Sequence, residues 1–219
     1  MCLNIGSCAY LYCMISLLHH TLQLLFPEAC IHCNAPQKSP LLLCSDCLIE
    51  LPSKLHPLPK TELVSSIWGL GAYEGPLGSI IRRCKYKPDH RILEEICTRI
   101  KHGTFPWSHH HMLTHVPTTK RRLFQRGFDQ AQELSQALAK QTGIQHQTLL
   151  KRIDPFSQGL RDKHSRHQNL SRRFSCVQSP PDRVLLIDDV RTTGSTLEAC
   201  AMTLLNEGCR EVHAIVLGY

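Results

Sequence analysis

"VLLIDDVRTTGST", residues 184–196, decides the reading of this chain. An aliphatic run ends in two adjacent acids, and a Thr/Gly/Ser turn follows at once. Neighbouring carboxylates repel each other and are costly to bury, so Asp188 and Asp189 need something to hold. Val184, Leu185, Leu186 and Ile187 suit a strand of a parallel sheet buried on both faces, which puts the acids at its carboxyl end. Ser195 and Glu198 have the spacing of a capping box. Leu197, Cys200, Ala201, Leu204 and Leu205 make one apolar helical stripe, and Gly208 is its stop. "EVHAIVL", residues 211–217, is the returning strand. The turn and the helix N-terminus of this β-turn-α-β unit offer free N–H groups to an anion.

A second unit of the same kind lies upstream. "MLTHV", residues 112–116, is a short buried strand stopped by Pro117. "TTKRR", residues 118–122, reads as a basic loop. A helix begins at Asp129, with Ala131, Leu134, Leu138 and Ala139 on one face and Gly143 as its end. Ligands of open α/β sheets bind at such carboxyl ends. Lys120, Arg121, Arg122 and Arg126 suit a diphosphate, because the planar guanidinium donates two parallel hydrogen bonds. Further upstream, "SIWGLGAY", residues 66–73, is a strand. Residues 76–101 have helical spacing broken at Pro88, with Arg82, Arg83 and Lys85 on a solvated face. The histidines at 109, 110, 111 and 115 sit on an extended segment and point to different sides, so they are not expected to share a metal. Residues 151–174 are long, polar and basic without a period. They form either a lid over an anionic substrate or a basic surface contacting nucleic acid.

"CIHCNAPQKSPLLLCSDC", residues 30–47, holds two Cys-x-x-Cys pairs separated by 10 residues. Cys30, Cys33, Cys44 and Cys47 form two knuckles suited to a tetrahedral structural zinc ion. His32, inside the first knuckle, is expected to face solvent. A closed site of four thiolates leaves no open catalytic position, so its role is to fold a short segment lacking a core of its own. Small zinc modules also bind nucleic acid. Pro52, Pro57 and Pro59 mark the linker that follows.

The chain has 219 residues and a net charge of +7, which favours an anionic partner such as a nucleotide, a phosphorylated sugar or nucleic acid. The remaining 8 of its 12 cysteines are scattered singly, several within apolar helical patterns. That is unlike a secreted disulfide framework and implies a reducing, cytoplasmic compartment. Residues 1–26 are apolar but contain no Lys or Arg, and His19, His20 and Gln23 interrupt them short of a membrane span. Residues 1–13 read as an extension from an over-early start codon. Residues 14–60 then form a helix, with Leu17, Leu18, Leu22, Leu25 and Phe26 on one face, plus the four-cysteine module. Residues 61–219 form the α/β domain.

The stretch 184–196 resembles the motif of type I phosphoribosyltransferases that binds phosphoribosyl pyrophosphate. "CIHC…CSDC", "YEGPLGSIIRRCKY", "VPTTKRRLFQRGFDQA" and that motif, in this order, are similar to the ComF/GntX family over roughly residues 17–219. The resemblance implies a central parallel sheet of the type I phosphoribosyltransferase fold beside the small zinc module. Asp188 and Asp189 would hold the ribose hydroxyls, directly or through Mg2+. Thr192, Thr193, Gly194, Ser195 and Thr196 would wrap the 5′-phosphate. Residues 118–122 would lie at the pyrophosphate, and residues 158–169 would form the hood over the site. The implied chemistry is pentosyl transfer, displacing pyrophosphate at the anomeric carbon through an oxocarbenium-like state. The acceptor is not legible in the sequence. The implied cellular setting is DNA uptake and competence, with nucleoside metabolism as a related context. The alternative is a non-catalytic accessory protein that binds single-stranded DNA through the zinc module and basic loops, among competence and DNA-processing partners. The family usually has Asn–Gln after "RGF" and a His or Ser after Val-Pro. This chain has Asp129–Gln130 and Thr118, and the added acid is expected to weaken anion binding.

Overall fold

A computed structural model describes residues 29–37, 42–87, 89–102, 111–153 and 173–219. The chain divides into two compact units, one ending at Glu50 and one running from Leu51 to Tyr219. The expected start-site extension, the helix over 17–26, the hood over 158–169 and His109 and His110 lie outside the described residues.

In the first unit, Asn34 adopts a left-handed φ of 61° after Cys30-x-x-Cys33. The Cys30 amide donates to the Ala35 carbonyl, and the Asn34 amide returns to the Cys30 carbonyl, both at 2.9 Å. This is a tight knuckle. The second pair opens helix α1 (Ser45–Ile49), with Cys44 at its N-cap.

The second unit is built on a five-stranded sheet. Its strands in chain order are β1 (His56–Leu58), β2 (Ser66–Gly71), β3 (Met112–His115), β6 (Arg183–Val190) and β7 (Glu211–Gly218). Their spatial order is β1-β2-β7-β6-β3, all parallel except the edge pair β1–β2. Helices α2 (Gly75–Cys84), α3 (His90–His102), α4 (Lys120–Arg126), α5 (Gln130–Thr142) and α6 (Ser195–Asn206) connect the strands. Strands β4 (Leu150–Arg152) and β5 (Phe174–Cys176) form a separate antiparallel ribbon. Val184 to Ile187 are fully buried, as a strand covered on both faces requires. Leu197, Cys200, Ala201 and Leu204 of α6 pack with Val184 and Leu186 of β6 and Val212, Ala214 and Val216 of β7. Helix α5 packs on β3 and β6 and against α3.

Two local expectations are corrected. Residues 120–126 are helix rather than loop: the Thr119 hydroxyl accepts from the Arg122 amide, and Gly127 ends the turn at φ 79°. The capping box at Ser195 does not form. The N-cap is Gly194 at φ 80°, and no side chain caps the helix. Ser195 is already the first helical residue, and its hydroxyl meets Thr193 Oγ1 at 3.0 Å.

Candidate functional site

The register of the sheet creates the site. Strand β3 pairs with β6 only as far as His115–Ile187, while β6 and β7 stay paired to Val190–Gly218. Asp188 and Asp189 therefore project beyond the end of β3, beside a cavity of about 440 Å³. Val116, Pro117 and Thr118 from the end of β3, and Val190, Thr192 and Thr196 from the turn after β6, line the same cavity. Arg122 and Arg126 of α4, Asp129, and Gln130 and Ala131 of α5 complete that side.

The structure thus brings together Asp188, Asp189, Thr192, Thr196, Thr118, Arg122 and Arg126 from the residues singled out in the sequence. Thr193, Gly194 and Ser195 form the turn without lining the cavity, and Thr119, Lys120 and Arg121 also lie off its wall. Helix geometry explains the split in α4: Arg122 and Arg126 are one turn apart and share a face.

Among the lining residues not identified as site residues in the sequence are Tyr73, Lys85, Gln130 and Arg152. Lys85 was read as part of a solvated face, yet it is half-buried and its Nζ donates to the Tyr73 hydroxyl at 3.3 Å. Arg152 lies over the Phe174 ring at 5.1 Å. Burial is the main cause that lowers its pKa. These four come from segments far apart in the chain, so only their side-chain chemistry was visible beforehand.

Electrostatics sets the acids apart. Burial, followed by the charges of Asp189 and Asp129, pushes Asp188 well above the usual carboxylate range. Its Oδ1 accepts from the Asp189 amide at 2.9 Å. Asp129 is also raised, chiefly by burial. Hydrogen bonds from the Thr118, Ala131 and Gln132 amides oppose that shift and occupy its oxygens. The acid that departs from the family pattern is thus the N-cap of α5 and the anchor of residue 118. Such an arrangement sets the carboxyl groups of Asp188 and Asp189 against the cations Arg122, Arg126, Arg152 and Lys85 on one cavity. It suits a ligand with hydroxyl donors or a cation at one part and anionic groups at others. At the α6 start the Ser195 amide donates to Thr193 Oγ1 at 3.4 Å, and the other first-turn amides are left as donors for an anion. Beside it, Arg191 Nε lies 3.2 Å from where a Cβ on Gly194 would sit, buried and without a hydrogen-bond partner.

In the first unit, the ligand atoms of Cys30, Cys33, Cys44 and Cys47 all lie within 4.8 Å of one another. The Sγ atoms of Cys33 and Cys44 are 3.7 Å apart. A tetrahedral ion with metal–sulfur bonds of about 2.3 Å needs sulfurs about 3.8 Å apart, so the four thiols fit one metal ion. Burial opposes ionisation of Cys30, but hydrogen bonds from the backbone of Cys33, Cys44 and His32 bring it to about 6. His32 is exposed and outside the cluster. This is the one such group among the described residues. The remaining histidines make other contacts: His111 meets His213 edge-on at 5.3 Å, and His115 stacks on His146 at 5.7 Å. All nine described cysteines are free thiols. No helix among the described residues is long and apolar enough to cross a membrane.

No family model matches the chain. Among solved structures, one described as the allosteric regulatory enzyme of purine biosynthesis is similar, with a TM-score of 0.41 and 18% identity. That match covers 58% of this chain and 25% of the other, too distant to bear on activity. Among curated proteins, DNA utilization protein YhgH of Salmonella typhi is 28% identical over 195 residues, covering 84% of this chain and 80% of that protein. Competence protein F of Haemophilus influenzae is 30% identical over 195 residues, covering 84% of this chain and 81% of that protein. On that relationship, the chain belongs to the ComF family.

Proposed function

We propose that the cavity binds phosphoribosyl pyrophosphate together with Mg2+, and that the protein is a phosphoribosyltransferase-type component of DNA uptake or competence. The observation that carries this reading is the convergence of Asp188, Asp189, Thr192 and Thr196 with Thr118, Arg122 and Arg126 on one cavity. Asp188 and Asp189 hold the ribose hydroxyls or the Mg2+ ion. The backbone of residues 192–196 wraps the 5′-phosphate, and Arg122 and Arg126 neutralise the diphosphate. Mg2+, when bound, supplies charge stabilisation to a leaving diphosphate. If turnover occurs, it is transfer of the phosphoribosyl group, with Arg122 and Arg126 stabilising the departing charge. Cys30, Cys33, Cys44 and Cys47 hold a structural zinc ion. The names of the relatives supply the competence setting, and the five unbridged cysteines described outside the four-cysteine group agree with a reducing cytoplasmic location.

Titration calorimetry with phosphoribosyl pyrophosphate and Mg2+ tests the donor. Wild type is expected to release binding heat, and Asp188→Asn with Asp189→Asn to abolish it while the fold remains intact. No heat from folded wild type defeats the reading. Metal analysis tests the other site, with one zinc ion per chain expected.

A second reading is favoured by α4. Its cations Lys120 and Arg121 stand one turn before Phe124, which is 93% exposed, and the helix buries none of its residues. An aromatic face among cations is a stacking platform for single-stranded DNA. Affinity for an oligonucleotide should then fall steeply with salt. Joint replacement of Lys120, Arg121 and Phe124 by Ala without loss of that affinity excludes this surface.

A further inference from the structure

The chain goes to some length to bring Lys85 to the cavity. Lys85 is the C-cap of α2, half-buried, while the next residue, Tyr86, is 78% exposed. Its seat is Tyr73, just past the end of β2. The Tyr73 amide donates to the Tyr219 carbonyl at 3.1 Å. The Tyr73 ring passes so close to β7 that a Cβ on Gly218 would sit 3.1 Å from its Cδ2. The Tyr73 carbonyl would lie 3.1 Å from a Cβ on Gly78 of α2. Gly218 thus leaves room for the ring, and Gly78 for the Tyr73 backbone. The Lys85 ammonium lies 5.1 Å from the ring centroid and 3.3 Å from the hydroxyl. The Arg82 guanidinium lies 5.7 Å from the same centroid.

Two cations on one aromatic ring repel each other, which favours an anion beside them. The chain does not provide one to Lys85: among the described residues it makes no ion pair, even with three carboxylates on the same cavity. This wall is also fixed to the diphosphate side of the site. Gln130 Nε2, from the first residue of α5, donates to the Ile81 carbonyl of α2 at 3.3 Å.

We propose that Lys85 binds a second phosphate group of the ligand, separate from the one held by residues 192–196, with Tyr73 as its positioning residue. Lys85 thereby selects sugars phosphorylated at both ends over monophosphates. The proposal rests on the reading of the cavity as a phosphorylated-sugar site. It adds a specificity determinant contributed from outside both β-turn-α units.

The test compares calorimetric affinities of the full-length protein for phosphoribosyl pyrophosphate and for ribose 5-phosphate, each with Mg2+. Wild type should prefer the former. Lys85→Met should cut that preference about ten- to hundredfold by weakening phosphoribosyl pyrophosphate alone, as loss of a charge-assisted hydrogen bond does. Lys85→Arg should retain most of the preference. Tyr73→Phe keeps the ring but loses the hydroxyl, and should give a smaller, several-fold loss. An unchanged preference in Lys85→Met overturns the proposal, as does equal weakening of both sugars, which marks a purely structural role. Failure of wild type to bind either sugar removes the underlying reading, and this proposal with it. Clear wild-type preference with an unaffected Lys85→Met variant removes the proposal alone.

Discussion

Helices α6 and α4 both follow strands that end at the cavity, yet they serve it in opposite ways. Helix α6 buries Leu197, Ala199, Cys200, Ala201, Thr203 and Leu204 and starts on Gly194 with no side-chain cap. Helix α4 buries nothing, and Thr119 occupies one of its first amides. One is a rigid element whose backbone donors stay available. The other is a side-chain carrier whose contribution is Arg122 and Arg126. Backbone donors are placed accurately only where packing fixes the helix, whereas long arginines tolerate a looser base.

The widest contrast should appear on truncating one leucine in each helix. Leu204→Ala, at a fully buried position, is expected to cost about 2–5 kcal/mol in denaturant unfolding. Leu123→Ala, at 44% exposure, should stay within about 0.5 kcal/mol. Equal losses would break the comparison. Next comes Gly194→Ala. At φ 80° with Arg191 Nε 3.2 Å from the new Cβ, it should cost about 1–3 kcal/mol. It should weaken phosphate binding more than Arg126→Ala weakens stability, as paired calorimetry and unfolding curves would show. A pH dependence arises on the β3 side. His115 at the end of β3 is pushed down to about 4, by burial first and then by His146. Its partner in register on β6 is the aliphatic Ile187. The unfolded chain takes up this proton near pH 6.5 and the folded chain only near 4, so stability falls as pH drops through that window. Between pH 7 and pH 5 the loss should be up to about 2 kcal/mol, read from urea midpoints. His115→Gln should flatten the slope whatever its absolute stability.

The same two helices mark what sequence could reveal. Residues 184–196 were legible because an aliphatic run, two acids and a glycine turn each carry a local signal, and the core of α6 followed from its period. The cavity at the ends of β3 and β6 was likewise foreseeable from strand-turn-helix order. Helix α4 was missed because "KRRLFQR" has no apolar period, although Thr119 before it was a start signal and Gly127 after it a stop signal of the right type. At Ser195 and Glu198 a capping pattern was present, but the left-handed Gly194 displaced it. Tyr73 and Lys85 could not be assigned, because close approach across Gly78 and Gly218 is a tertiary fact. Asp129 was expected to weaken anion binding, and the part its oxygens play in accepting from three backbone amides was not foreseen.

That α4 buries none of its residues also bears on local opening. Unwinding it exposes almost no apolar surface that is not already wet, so it lies at the low end of the opening free energies within one fold. Its amides should exchange with solvent well ahead of those in α6. Arg122 and Arg126 can then leave the cavity together while the strand ends and the glycine turn stay in place. A diphosphate held by those arginines would have an exit route that leaves the core undisturbed.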